Sequence, residues 1–334
     1  MVAPGRARRS RYLLPAFGVV FVVVFVVSLG VGQYPVAVGD ILRVLVGKLA
    51  GTDTALVVHQ IRLPRLLADA LVGAGLAVAG AAFQGLFRNP MASPDILGAS
   101  AGAGFGAALA LFLSAGYAVV SANAFVFGLV AVGIAYAIGA RARRNPTLGL
   151  VLAGIMIASL FSAATSYVKL VSDPENVLPA ITFWLMGSFA NVQWSQLAWA
   201  VGPIGGGIVV LMIARWRLNL LTMGEDEARS MGVNALAMRL IVVGFATLIT
   251  SACVAISGLV GWVGLVVPHL ARLTVGDDNR VMIPASMLMG ATFLVVVDDI
   301  ARAATATEVP IGILTAFVGA PFFLYVMLGK GSRL

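Results

Sequence analysis

The stretch that decides the fold runs from Arg62-Leu-Pro-Arg65, through apolar, glycine-rich residues to Phe87, into Arg88-Asn-Pro-Met-Ala-Ser-Pro-Asp95. Two arginines open a segment of membrane length, and a polar turn with two prolines closes it. Lipid gives irregular backbone no hydrogen-bond partner, so a broken turn at membrane depth must be buried in protein or line a cavity. Arg62 and Arg65 are three residues apart and share one helix face. This stretch suggests a docking surface, a membrane crossing and a gate.

The 334 residues are 60% hydrophobic and 11% charged, with a mean hydropathy of +1.00. A soluble domain carries about 25% charged residues, so the chain reads as a polytopic membrane protein. The net charge of +8 matters more for its placement than its size. Cys253 lies in an apolar segment, which excludes a disulfide framework and leaves a packing role. Arg6, Arg8, Arg9 and Arg11 before an apolar run imitate a signal peptide. That run, 12–31, exceeds the usual hydrophobic region of about 7–15 residues, and is read as an uncleaved first span.

Apolar segments near the ~20 residues needed to cross a bilayer number ten: about 12–31, 64–87, 95–114, 117–139, 147–170, 194–214, 236–257, 261–274, 281–300 and 309–328. The eighth is short. Ten spans put both termini on one side. With that side cytoplasmic, 16 of the 22 Lys and Arg lie inside, and Arg43, Lys48, Arg62, Arg65, Lys169 and Arg302 lie outside. The bias obeys the positive-inside rule and leaves the outer arginines to be explained. A shift of 178 residues lays Gly80 on Gly258, Ala77 on Ala255 and Pro90 on Pro268, a faint hint of the inverted repeats common in transporters. The expected organisation is one transmembrane domain over 1–334. It has a cytoplasmic tail at 1–11, a cytoplasmic loop at 218–235 and a periplasmic loop at 171–193, whose apolar piece 179–187 reads as re-entrant or interfacial.

Enzyme signatures are missing. No Gly-x-x-x-x-Gly-Lys-Ser/Thr phosphate loop occurs, which excludes nucleotide hydrolysis by that route. His59 and His269 lack metal-ligand spacing. No pair of carboxylates is read in mid-span, which argues against an ion-driven carrier. For the outer arginines two readings stand. One is local neutralisation, Arg302 with Asp298 and Arg65 with Asp69; the other is an outward basic patch for an acidic partner. In the inner loop, Glu225, Asp226 and Glu227 precede Ala228 and Arg229, a charge order that suits a short helix, with Gly232 as its stop. This is either a solvated surface helix or a rigid knob for a cytoplasmic motor. Gly98, Gly102 and Gly106 recur every four residues, a spacing that lets helices pack closely.

Taken in order, Arg62-Leu-Pro-Arg65, Gly80-x-x-x-Gln84-Gly-Leu-Phe-Arg-Asn-Pro-Met-Ala-Ser-Pro-Asp-Ile-Leu-Gly98, Leu152-Ala-Gly154, Gly224-Glu-Asp-Glu-Ala-Arg-x-x-Gly232, Gly261-x-x-Gly-Leu-Val-Val-Pro-His-Leu-Ala-Arg272 and Glu308-Val-Pro-Ile-Gly312 resemble the FecCD family. These are the iron-siderophore, haem and vitamin B12 permeases of type II ABC importers. The resemblance covers about Tyr12 to Leu328. It implies an all-α integral membrane fold of ten transmembrane helices with inverted-repeat halves. It implies a homodimer, two cytoplasmic ATPase subunits carrying ATP and Mg, and a periplasmic or lipoprotein binding protein, in a bacterial inner membrane with both termini cytoplasmic. The permease itself would bind no cofactor, metal or nucleic acid and would perform no catalysis. By resemblance, Arg62, Arg65 and Arg302 dock the binding protein. Gly224, Glu225, Asp226, Glu227, Ala228, Arg229 and Gly232 form the ATPase-coupling helix. Asn89, Pro90, Met91 and Thr147 form the cytoplasmic gate, and the helix carrying Ala158, Ser159, Ser162 and Ser166 lines the pathway. The expected cargo is an iron chelate, siderophore or haem, with cobalamin and then oxyanions such as molybdate as alternatives. An ion-driven secondary transporter is the rival from another class.

Overall fold

The computed structural model describes residues 4–32, 34, 36–48, 52–142, 146–304 and 307–328, and no strand occurs among them. Its helices are α1 (Pro4–Ser28), α2 (Val38–Leu45), α3 (Asp53–Leu56), α4 (Leu63–Phe87), α5 (Ala99–Phe112), α6 (Tyr117–Gly139), α7 (Pro146–Val171), α8 (Val177–Met186), α9 (Trp194–Met223), α10 (Glu225–Ser230), α11 (Ala235–Ser257), α12 (Val263–Val275), α13 (Asn279–Ala303) and α14 (Ile311–Leu328). Each of the ten expected spans falls on one of these. Six helical runs are long and apolar enough to cross a membrane; α1, α5, α12 and α14 supply shorter apolar stretches.

The core is built around α4. From Asp53 to Phe87 the chain is one unbroken helical run, and 83% of its membrane span is buried. It includes a widened π turn over Val57–Arg62, next to Pro64, which has no N–H to give to a regular helical ladder. Burial at this density selects small residues. A Cβ on Gly80 would lie 1.8 Å from the Gly264 carbonyl oxygen of α12, and one on Gly73 would lie 2.2 Å from the Gly290 carbonyl oxygen of α13. Cys253 packs from α11 with its thiol toward the Val72 carbonyl. The same logic governs α5, where Cβ atoms on Gly102 and Gly106 would each come 2.4 Å from carbonyl oxygens of α6. The glycine stripe is therefore intrachain packing.

The halves pack reciprocally: α4 lies on α12 and α13, while α11 lies on α5 and α6. The 178-residue shift does not pair like with like. Gly80 is interior to α4, whereas Gly258 is the C-cap of α11; Pro90 sits in a turn, whereas Pro268 is inside α12. Two loop boundaries also move. The tail expected at 1–11 is already helical from Pro4. The inner loop expected from 218 begins at 224, because α9 runs to Met223 with Leu218, Leu220 and Leu221 buried. Arg143, Arg144, Lys330 and Arg333 of the inner charge group lie outside the described residues.

Candidate functional site

Two ends of the bundle carry chemistry. α13 begins beside the end of α9, where the Asn219 amide donates to Asp278 at 2.6 Å, and α9 leads into α10. The opposite end of α13 therefore faces away from α10, and there it meets the start of α4.

At that end the expected exposed basic patch is not found. Arg62, Arg65 and Arg302 are 4%, 5% and 5% exposed. Arg65 Nε and Nη2 donate to Asp298 at 2.8–3.1 Å, and its Nη1 and Nη2 donate to Glu308 at 2.8 Å. Arg302 Nε lies 2.9 Å from Asp298, and Arg302 also pairs with Asp299, which accepts from Ser28. Arg62 has a different environment. Its Nη1 donates to the Leu29 carbonyl at 2.6 Å and its Nη2 to the Tyr34 carbonyl, so both of these partners are neutral. The turn after α1 crosses over these guanidinium groups, with Gly32 at φ +142°, where a Cβ would sit 3.0 Å from Arg62. The local pairing of Arg302 with Asp298 holds. That of Arg65 with Asp69 does not: Asp69 is fully buried and both its carboxylate oxygens lack a donor. Helical spacing found one pair and missed the long-range partners, Asp298 and Glu308, of Arg65. It also missed that Asp69 and Asp298, both within spans, face each other.

At the α10 end, α4 stops at Arg88 in the left-handed region, φ 50°. The Asn89 side chain accepts from the Met91 N–H at 2.9 Å, closing the turn, and a 3₁₀ turn, Pro94–Leu97, follows. This turn is wedged against α7: a Cβ on Gly154 would come 2.2 Å from the Ile96 carbonyl oxygen. Asn89 and Thr147 line one cavity of about 660 Å³, with Arg88, Ile96 and Val151. Pro90 and Met91 turn the other way, onto His269, Phe322 and Phe323 of α12 and α14. The four expected gate residues thus form two contacts, one with α7 and one with α14. Two of the quoted motifs meet nearby: the buried Gln84 amide donates to the Leu265 carbonyl, and Gln84 accepts from Arg272 at 3.0 Å.

α7 leaves most of its surface uncovered; 22% of its span is buried. Ser159, Ser162 and Ser166 are exposed, and Ala158 is half-buried against Gly98. Ser159 and Ser166 return their hydroxyl protons to the Ile155 and Ser162 carbonyls, so the strip offers no strongly held donor. α8, expected at 179–187, is a short helix over Val177–Met186. It is tied by backbone to α11 and α14 through Ser188 N–H to Ser257 and Ile311 N–H to the Gly187 carbonyl.

α10 starts at Gly224, φ +147°, where the Glu227 carboxylate folds back so closely that a Cβ would collide with it. That puts an acid at the third helical position, where a capping box carries one, with its carboxylate lying over the cap residue. Ala228 and Val233 are buried, Asp226, Glu227 and Arg229 are exposed, and the Gly232 N–H bonds the Arg229 carbonyl to end the turn. Met223, Met231 and Leu236 project around it, 56–66% exposed. Among the described residues no group of three His, Cys, Asp or Glu side chains is placed to hold a metal.

The described residues thus form a bundle of apolar helices with a buried ion-pair clasp at one end, and a wedged turn and a short helix at the other. The chain belongs to the FecCD transport family, which it matches over residues 20–329. It is 39% identical to the molybdate import system permease protein MolB of Haemophilus influenzae, over 90% of this chain and 91% of that one. It is 42% identical to the cobalamin import system permease protein BtuC of Halobacterium salinarum, over 83% and 74% of the two chains. Among solved structures it is similar to an inward-facing conformation of a transporter described as a metal-chelate type ABC transporter. That match has a TM-score of 0.87 and 36% identity, covering 96% of this chain and all of the other. The chain is an ABC importer permease, a multi-pass membrane transport subunit of a family that implies ATPase and substrate-binding partners in general.

Proposed function

We propose that the chain forms a homodimer in a bacterial inner membrane, with both termini cytoplasmic, two ATPase subunits beneath and a periplasmic or lipid-anchored binding protein above. The cargo is an iron chelate, siderophore or haem; the similarity to cobalamin and molybdate permeases keeps those two as alternatives. ATP and Mg act on the ATPase subunits, and this chain carries no cofactor. The observation that supports the reading best is α10. A six-residue helix anchored by buried Ala228 and ringed by exposed methionines suits insertion into a partner's cleft. The uncovered face of α7, with Ser159, Ser162 and Ser166 exposed and Ala158 at its half-buried edge, suits a dimer-axis pathway, and Asn89–Met91 with Thr147 suit its inner gate.

Docking of the binding protein falls chiefly on Arg62. Arg65 and Arg302 already have carboxylate partners, and a partner's acid would have to compete with Glu308 and Asp299. Arg62 is buried under the turn after α1 and meets its main-chain carbonyls, so an incoming carboxylate would first have to displace that turn and would then strengthen the contacts of Arg62. In vesicles holding permease and ATPase, stimulation of ATP hydrolysis by the binding protein should fall about tenfold in Arg62→Gln, from loss of about 1.5 kcal/mol. Basal hydrolysis should stay unchanged. Full stimulation in Arg62→Gln would remove Arg62 from the docking surface.

A further inference from the structure

α9 spans 30 residues, about 45 Å at 1.5 Å per residue. From Trp194 to Ala214 it is apolar except for Ser195 and Gln196, and that length fills the hydrocarbon core of about 30 Å. Arg215 and Trp216 therefore emerge at the headgroup level on the α10 side. Beside them, Arg280 rises from the first turn of α13. Its guanidinium lies 5.8 Å from the centre of the Trp216 ring, a cation–π contact that holds it at a fixed height. Arg215 makes one weak contact, to the Met212 sulfur at 3.7 Å. Among the described residues neither guanidinium is paired with a carboxylate: Asp277 is taken by Arg272, and Asp278 by Asn219 and the Arg280 backbone N–H.

These groups line an open groove of about 610 Å³ whose floor is Val209, Met212 and Ile213. Val209 and Ile213 are 58% and 68% exposed on the face that α9 turns away from the bundle. A phosphate-sized charge at the top and an apolar runway below describe a lipid, with the headgroup above and the acyl chain along α9. We propose that the groove between α9 and α13 is a binding site for an anionic phospholipid of the α10-side leaflet. Arg215 and Arg280 hold the phosphate, Trp216 fixes Arg280 at the interface, and Val209 and Ile213 carry the chain. Basic pockets between membrane helices recognise anionic headgroups through this combination of charge and position. The site is independent of what the permease transports.

The test is native mass spectrometry of the delipidated, detergent-solubilised chain, offered phosphatidylglycerol and phosphatidylcholine together. Wild type should retain phosphatidylglycerol in preference. The double variant Arg215→Gln/Arg280→Gln should lose that preference by about 30-fold, at roughly 1 kcal/mol per basic residue near a charged surface. Arg215→Lys/Arg280→Lys should keep most of it, which separates lost recognition from lost fold. Arg217→Gln, the same charge change one residue outside the groove, should leave it intact. Equal retention of the two lipids by wild type, an equal fall in Arg217→Gln, or displacement of the lipid by millimolar inorganic phosphate would each overturn the proposal. The last result would make the groove a phosphate site instead.

Discussion

Replacing Asp298 by alanine tests whether the outer clasp holds the bundle together. Asp298 is fully buried and accepts three hydrogen bonds from Arg65, at 2.8, 3.0 and 3.1 Å, while Arg302 Nε lies 2.9 Å away. Removing one partner of a buried ion pair typically costs about 3–5 kcal/mol, because the other charge stays buried without compensation. Here Arg65 keeps Glu308 and Arg302 keeps Asp299, so the low end applies, about 3 kcal/mol. Asp69→Asn is the matched control. It changes a buried acid in the same cluster, but one whose oxygens have no donor to lose, so its cost should stay below about 1 kcal/mol. Equilibrium unfolding in mixed micelles with rising SDS fraction measures both. A cost for Asp298→Ala within about 1 kcal/mol of wild type, or an equal cost for the two variants, would refute the clasp.

Two further changes probe the packing around α4 and the knob at the other end. Gly80→Ala places a methyl where the Gly264 carbonyl oxygen would lie 1.8 Å away. Backbone must move to accommodate it, so the variant should unfold about 1–3 kcal/mol more easily, whereas Gly133→Ala, with open space around it, should not. Ala228→Asp buries a carboxylate at the anchor of α10 and should weaken its seating by about 1–3 kcal/mol. Binding-protein-stimulated ATP hydrolysis should then be lost while the chain still inserts and dimerises.

The spans were legible because charges and prolines mark their borders, and hydropathy needs only a window. Their places in the bundle were not legible from hydropathy. α3–α4 and α7 have nearly the same mean hydropathy, 1.9 and 2.1, yet 83% of one span and 22% of the other is buried. Lipid and protein interior are equally apolar, so hydropathy cannot separate them. Glycines mark single close contacts rather than whole spans: Gly73, Gly75 and Gly80 of α4 each sit where a Cβ would meet a neighbour under 3.0 Å away, but so do Gly149 and Gly154 of the exposed α7. The motif residues of the turn were legible one by one, but not their split, with Asn89 and Thr147 lining one cavity and Pro90 and Phe322 another. Local spacing proposes only partners three or four residues away, so it reaches Asp298 from Arg302 but not from Arg65. Arg65 reaches 233 residues along the chain to Asp298. The widened turn before Pro64 and the length of α9 left no sequence signal strong enough to move the expected boundaries.

On the proposed function, this permease moves its cargo on ATP hydrolysed by partner subunits. The most direct test is uptake into proteoliposomes containing the permease and its ATPase, with the loaded binding protein outside and an iron chelate, cobalamin or molybdate as cargo. Uptake of one of these that requires both enclosed ATP and the binding protein, and survives collapse of ion gradients, is the predicted result. Uptake driven by an ion gradient without ATP would instead make the protein a secondary transporter.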